Sequence, residues 1–152
     1  MKKIHLTFLA LGAIAMLAPA RAASLPEPLQ ASIDQYLVIQ TALAADSLEG
    51  VLEAASALAD AAKSSDGVVP EATVSQAEAV GKADDLAAAR AAFKPLSESL
   101  IAALTARGAK SAPIYEAFCP MADAAWLQAE KTIANPYYGA SMLKCGTIRK
   151  EL

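Results

Sequence analysis

The stretch "LQASIDQYLVIQTALAADSLEGVLEAASALADAAK", residues 29–63, decides the fold class. Leu29, Ile33, Tyr36, Leu37, Gln40 and Leu43 recur at steps of three and four, the spacing of one face of a helix from Leu29 to Ala45. Asp46-Ser47-Leu48-Glu49 then reads as a capping box in which the Asp46 carboxylate accepts from the Glu49 amide. Val51, Leu52, Ala55, Leu58 and Ala62 line one face of the helix so opened, which runs to about Lys63. So short a connection predicts antiparallel neighbours.

The same texture continues to Gly108. Ser64-Ser65-Asp66-Gly67 is a loop, and Pro70 suits the first turn of a short helix, Glu71 to Val80. Asp84 or Asp85 caps a longer helix ending at Arg107, with Gly108 just past its end. Leu86, Phe93, Leu96, Leu100, Ile101 and Leu104 form its buried stripe, and Pro95 removes one of its backbone hydrogen bonds and kinks it. The expectation is a mainly α protein, an up-down bundle of about four helices, followed by an irregular segment holding cysteine and methionine. Much of the apolar content is alanine, which lets helices approach closely but buries little area per side chain.

Before residue 23 the pattern is that of a secretory signal. Lys2 and Lys3 precede an apolar run, Leu6 to Leu17, then Pro19 and the small-residue pattern Ala20-Arg21-Ala22. The run is too short to span a bilayer. Cleavage after Ala22 is expected, giving a single exported domain, residues 23–152, with no lipid-anchor cysteine and no membrane insertion. Removing Lys2, Lys3 and Arg21 from 13 basic residues, while all 16 acidic ones remain, leaves a net charge of −6. That balance argues against nucleic acid or anionic membrane as a partner. The only histidine, His5, departs with the signal.

Both cysteines and both remaining methionines fall in residues 114–146, as do five of the seven aromatics that follow the signal. Ile114 to Cys119 reads as extended, Asn135-Pro136-Tyr137-Tyr138-Gly139 as a turn, and Ala140 to Cys145 as one or two helical turns closed by Gly146. Cys119 and Met121, two apart, share a side of an extended segment; Met142 and Cys145, three apart, share a helical face. The intervening turn would bring the pairs together as two thiolates and two thioethers, a donor set that selects Cu(I) or its mimic Ag(I). Zinc wants histidine or further cysteines. The alternative is a Cys119–Cys145 disulfide, the commonest use of two cysteines in an exported chain, with the methionines as core filling. It would close a loop of roughly 27 residues and contribute about 3.5 kcal/mol on the chain-entropy account. The two readings are compatible if the disulfide is the resting, metal-free form. Trp126 is a candidate to cap the ion through its ring face, or else a core residue.

The segments "AFCPMADAAWLQAEKTIANPYYGASMLKCG" and "ARAAFKPLSESLIAAL" resemble an uncharacterised domain family often attached to periplasmic adaptor subunits of copper/silver-type heavy-metal efflux pumps. The resemblance covers most of the chain after the signal, and its Cys-Pro-Met, Trp-Leu, Asn-Pro-Tyr and Met-Leu-x-Cys-Gly series is specific. It implies Cys119, Met121, Met142 and Cys145 as ligand candidates, a metal ion and a periplasmic efflux component as partners, and a role as carrier or accessory of metal resistance. Histidines that precede the Pro-Leu-Ser-Glu segment in some relatives are absent, and the expectation is a domain acting as a separate periplasmic protein, without an adaptor barrel or hairpin. An enzyme is not expected: no histidine serves as general base, no nucleophile elbow or phosphate loop occurs, and Cys-Pro-Met-Ala is not a Cys-x-x-Cys dithiol.

Overall fold

The structure, a computed structural model, describes residues 24–107 and 113–152. The expected signal segment with its cleavage point after Ala22, His5, and the expected helix-ending Gly108 lie outside the described residues.

Four helices form as the apolar spacing predicts: α1 (Glu27–Ala44), α2 (Val51–Lys63), α3 (Ala72–Gly81) and α4 (Leu86–Arg107). α1 starts slightly ahead of its stripe because Pro28 sits in the first turn, where a missing N–H leaves no bond unmade. Each helix packs on the next, and α4 returns against α1. Leu29, Ile33, Tyr36, Ile39 and Leu43 of α1, Leu58 of α2, and Phe93, Leu96 and Leu100 of α4 are fully buried. Small residues permit close approach: a Cβ added at Gly81 would stand 3.1 Å from the Ala55 Cβ. Leu52, expected on the inner face of α2, is 59% exposed, one step off the arc that Val51, Ala55, Leu58 and Ala62 define.

Helix termini follow the sequence in one case and depart from it in the other. Asp85 caps α4, its Oδ1 accepting the Ala88 N–H at 2.8 Å. Pro95 lies inside α4, as expected. The capping box at Asp46–Glu49 does not form. Asp46 instead ends α1 at φ 56°, in a Schellman turn where the Ser47 N–H donates to Ala42 O at 2.9 Å and the Asp46 N–H to Leu43 O at 3.2 Å. The Glu49 amide turns to Ser47 Oγ at 3.0 Å, and α2 begins only after Gly50. The physical reason is competition: Arg90 of α4 and the Ala140 amide take both carboxylate oxygens of Asp46.

The C-terminal segment is not irregular. It forms a three-stranded antiparallel sheet of β1 (Tyr115–Cys119), β2 (Ala124–Gln128) and β3 (Thr147–Glu151), in the order β2-β1-β3. Cys119 pairs with Ala124 and Ala117 with Trp126, while β1 meets β3 with a register shift between Glu116 and Ala117. Tyr115, Ala117 and Cys119 point inward, giving β1 the alternation of a half-buried strand. The helical turns expected at Ala140–Cys145 reduce to one 3-10 turn, Gly139–Ser141.

Tyrosines join sheet to bundle. The outer edge of β2 directs the Leu127 N–H to Tyr36 Oη at 3.1 Å, and Ala125 O accepts the Tyr137 hydroxyl at 2.7 Å. Two phenols thus satisfy backbone groups that an open edge would leave unpaired. Tyr36 stacks on Phe93 with centroids 4.7 Å apart, and Tyr137 meets the edge of Trp126 at 6.0 Å. Ser97 Oγ lies 2.7 Å from Tyr36 Oη and donates to Phe93 O at 2.9 Å.

Candidate functional site

Cys119 closes β1, and Cys145 sits in the turn that leads into β3; β1–β3 pairing therefore lays one beside the other. Their sulfurs are 2.7 Å apart, although 26 positions separate them. Cys119 is fully buried and Cys145 partly exposed. Burial pushes the Cys119 thiol up. Hydrogen bonds from the Cys145 thiol, the backbone amides of Ala122 and Met121, and the Asn135 side chain outweigh it and hold the thiol below the ordinary cysteine range. The Cys145 thiol is pushed up, first by its hydrogen bond to Cys119, then by burial and by the charge on Cys119. Two thiols this close titrate as a pair, the loss of the first proton raising the cost of losing the second.

Asn135 positions Cys145. It is fully buried, and its Nδ2–H donates to the Cys145 carbonyl at 2.9 Å. Its Oδ1 accepts the Tyr137 amide at 2.8 Å, and its backbone N–H donates to Leu143 O at 2.9 Å. One residue therefore braces both ends of the loop that carries Cys145. Gly146, at φ 136°, lets that loop press on β1: a Cβ there would stand 2.7 Å from the Trp126 ring and 3.0 Å from the Phe118 carbonyl oxygen. The other end of the loop is tied to the bundle. Arg90 donates from Nε to Pro136 O at 2.8 Å and from its guanidinium to Leu43 O at 2.8 Å, and it pairs with Asp46. Asp46 in turn accepts the Ala140 N–H at 2.9 Å.

The methionines are placed otherwise than their spacing predicts. The two-residue alternation stops where β1 stops: the chain turns after Cys119, with Asp123 at φ 44°, and Met121 is 65% exposed while Cys119 is buried. Met142 is not on a helical face with Cys145; it ends the 3-10 turn at φ −146° and ψ 47°, outside the helical region, and is half-buried. Among the described residues, no three histidine, cysteine, aspartate or glutamate side chains converge as a metal-binding group. Trp126 is fully buried, its Nε1–H donating to Gln128 Oε1 at 2.9 Å, with its ring edge against Gly146. Sequence reasoning missed Asn135, Arg90 and Asp46 as the residues that set the site. Asn-Pro marks the turn, but only the fold shows what the amide reaches.

A family model described as "Protein of unknown function (DUF3347)" matches residues 33–112, more than half of the 152 residues, and the chain belongs to that family. The match covers most of the helical bundle and ends before β1, so the cysteine-bearing sheet lies beyond it. Neither curated proteins nor solved structures gave a match.

Proposed function

We propose that this member of a family of unknown function binds one soft monovalent ion, Cu(I) or Ag(I), at its reduced Cys119–Cys145 pair, as a periplasmic carrier or accessory of heavy-metal efflux. One observation carries the reading: the chain's two cysteines meet at 2.7 Å, with hydrogen-bond donors on Cys119 that favour its thiolate. Thiolate is the donor a soft ion prefers. An ion held about 2.3 Å from each sulfur needs them roughly 4 Å apart. The pair must therefore open, and Cys145 is the partner with room to move, on a partly exposed turn. Met121, exposed just past Cys119, and Met142, three residues before Cys145, are the thioethers available to complete the shell. Export rests on the signal pattern and the efflux role on the family resemblance.

Titration of the reduced protein with Cu(I) against a competing chelator tests the proposal. The expected result is one Cu(I) with a sulfur-only shell in X-ray absorption, lost on oxidation. Met121→Leu and Met142→Leu weaken binding, Cys119→Ser weakens it far more, and Zn(II) competes badly. A nitrogen or oxygen shell, or affinity unchanged in the doubly Met→Leu protein, rejects the four-sulfur site.

The second reading is a disulfide-stapled helical interaction module without metal. The 2.7 Å approach favours it, because bonding requires no opening of the pair. Its signature is a protein that loses stability on reduction and takes up no Cu(I).

A further inference from the structure

The two sulfurs are unequal in ways that metal binding does not require. Cys119 is fully buried at the end of β1, with the Cys145 sulfur 2.7 Å from its own. Cys145 lies on a partly exposed turn, braced through its carbonyl by Asn135. In thiol–disulfide exchange the attacked sulfur must be accessible, and the bond breaks faster when the departing sulfur is the better-stabilised thiolate. Access assigns the first role to Cys145, and the second then falls to Cys119, the buried sulfur behind it.

We propose that the pair is a thiol-exchange site of fixed polarity, in which an external thiolate enters at Cys145 and Cys119 departs as the thiolate. The inference extends the proposed function by naming the chemical class that opens the site, a small or protein-borne thiol, and it holds whether or not metal follows. In the first step RS⁻ forms a bond to Cys145 Sγ, the Cys119–Cys145 bond breaks, and its electron pair stays on Cys119 Sγ as the thiolate. In the second, another RS⁻ attacks the R sulfur of the mixed disulfide, releasing RS–SR and the Cys145 thiolate, which takes a proton from water. Two external thiols are oxidised and one protein disulfide is reduced. The reverse sequence, started by Cys145 on an external disulfide, closes the pair.

Glutathione is the probe. The oxidised wild-type protein is mixed with limiting reduced glutathione, quenched in acid and peptide-mapped; separately, Cys119→Ser and Cys145→Ser are each exposed to glutathione disulfide and followed by intact mass. Expected are glutathione on the Cys145 peptide of the wild type, and mixed-disulfide formation at least about tenfold faster in Cys119→Ser than in Cys145→Ser. Glutathione on Cys119, equal or faster reaction of Cys145→Ser, or a wild-type pair that does not exchange overturns the polarity. Should a variant fail to fold, the wild-type map alone decides. Exchange at Cys145 in a protein that takes up no Cu(I) removes the metal reading and leaves this one; Cu(I) uptake with exchange at Cys119 does the reverse.

Discussion

At the scale of single residues, the loop bearing Cys145 hangs on contacts that tolerate little change. Gly139, at φ 54°, lies so close to Asp46 and Arg90 that any Cβ would overlap the Asp46 carboxylate. Gly67 has a similar φ, 80°, but open space around its Cα. Both Gly→Ala changes incur the left-handed backbone penalty, about 1–2 kcal/mol; Gly139→Ala adds an overpacking cost of about 1–3 kcal/mol. Urea denaturation of the two variants should therefore differ, and equal midpoints would show that the Asp46–Arg90 contact yields freely. Asp46 also makes stability depend on pH. The Arg90 hydrogen bond, followed by that of the Ala140 amide, holds its carboxyl below the usual range. A carboxyl depressed on folding stabilises above its unfolded value, near pH 4, and the contribution is lost as pH falls through the folded value. Asp46→Asn should flatten part of the acid limb of stability; an unchanged limb would assign that slope to other carboxylates.

At the scale of elements, termini and edges decide more than propensity does. α4 has a side-chain cap in Asp85, whereas α2 starts from Gly50 without one. Asp85→Ala should cost about 1 kcal/mol. Glu49→Ala, at an exposed position whose carboxylate caps nothing, should stay within about 0.5 kcal/mol. Thermal melts of the pair check this, and an equal loss in Glu49→Ala would restore the capping box that the Asp46–Arg90 pair displaces. In the sheet, β3 is the exposed edge, and Arg149, Lys150 and Glu151 blunt it. The Arg149 guanidinium also covers the Phe118 ring, 3.4 Å from its centroid.

At the scale of the molecule, bundle and sheet are one cooperative body because buried hydroxyls and rings cross between them. Tyr36 Oη, in α1, touches Ser97 of α4 and accepts the Leu127 N–H of β2. Burial, with Tyr137 nearby, raises the Tyr36 phenol well above its ordinary range, so it stays a neutral donor and acceptor. Tyr36→Phe keeps the stack on Phe93 but strands the Leu127 amide, at about 1–3 kcal/mol. Hydrogen exchange should show Leu127 losing protection while helix amides in α2 and α3 change only with global stability. Uniform loss across both parts would mean the hydroxyl is not the link.

The amino-acid sequence by itself determined the four helices, because a stripe repeating every three or four residues is a local property that any helix buries the same way. Phe93, Leu96 and Leu100 could be read as buried from spacing alone, and Asp85 as a cap from its place before Leu86. The clustering of both cysteines after Pro113 was equally legible. Tertiary structure alone decided the sheet, since Ala124–Gln128 has little strand preference and becomes β2 only by pairing with β1. It likewise decided that Asp46 serves Arg90 rather than the Glu49 amide, a choice between a neighbour in sequence and a charged partner 44 residues away. Met121 turned outward for the same kind of reason: alternation of side chains lasts only as long as the strand, and the strand stops at Cys119.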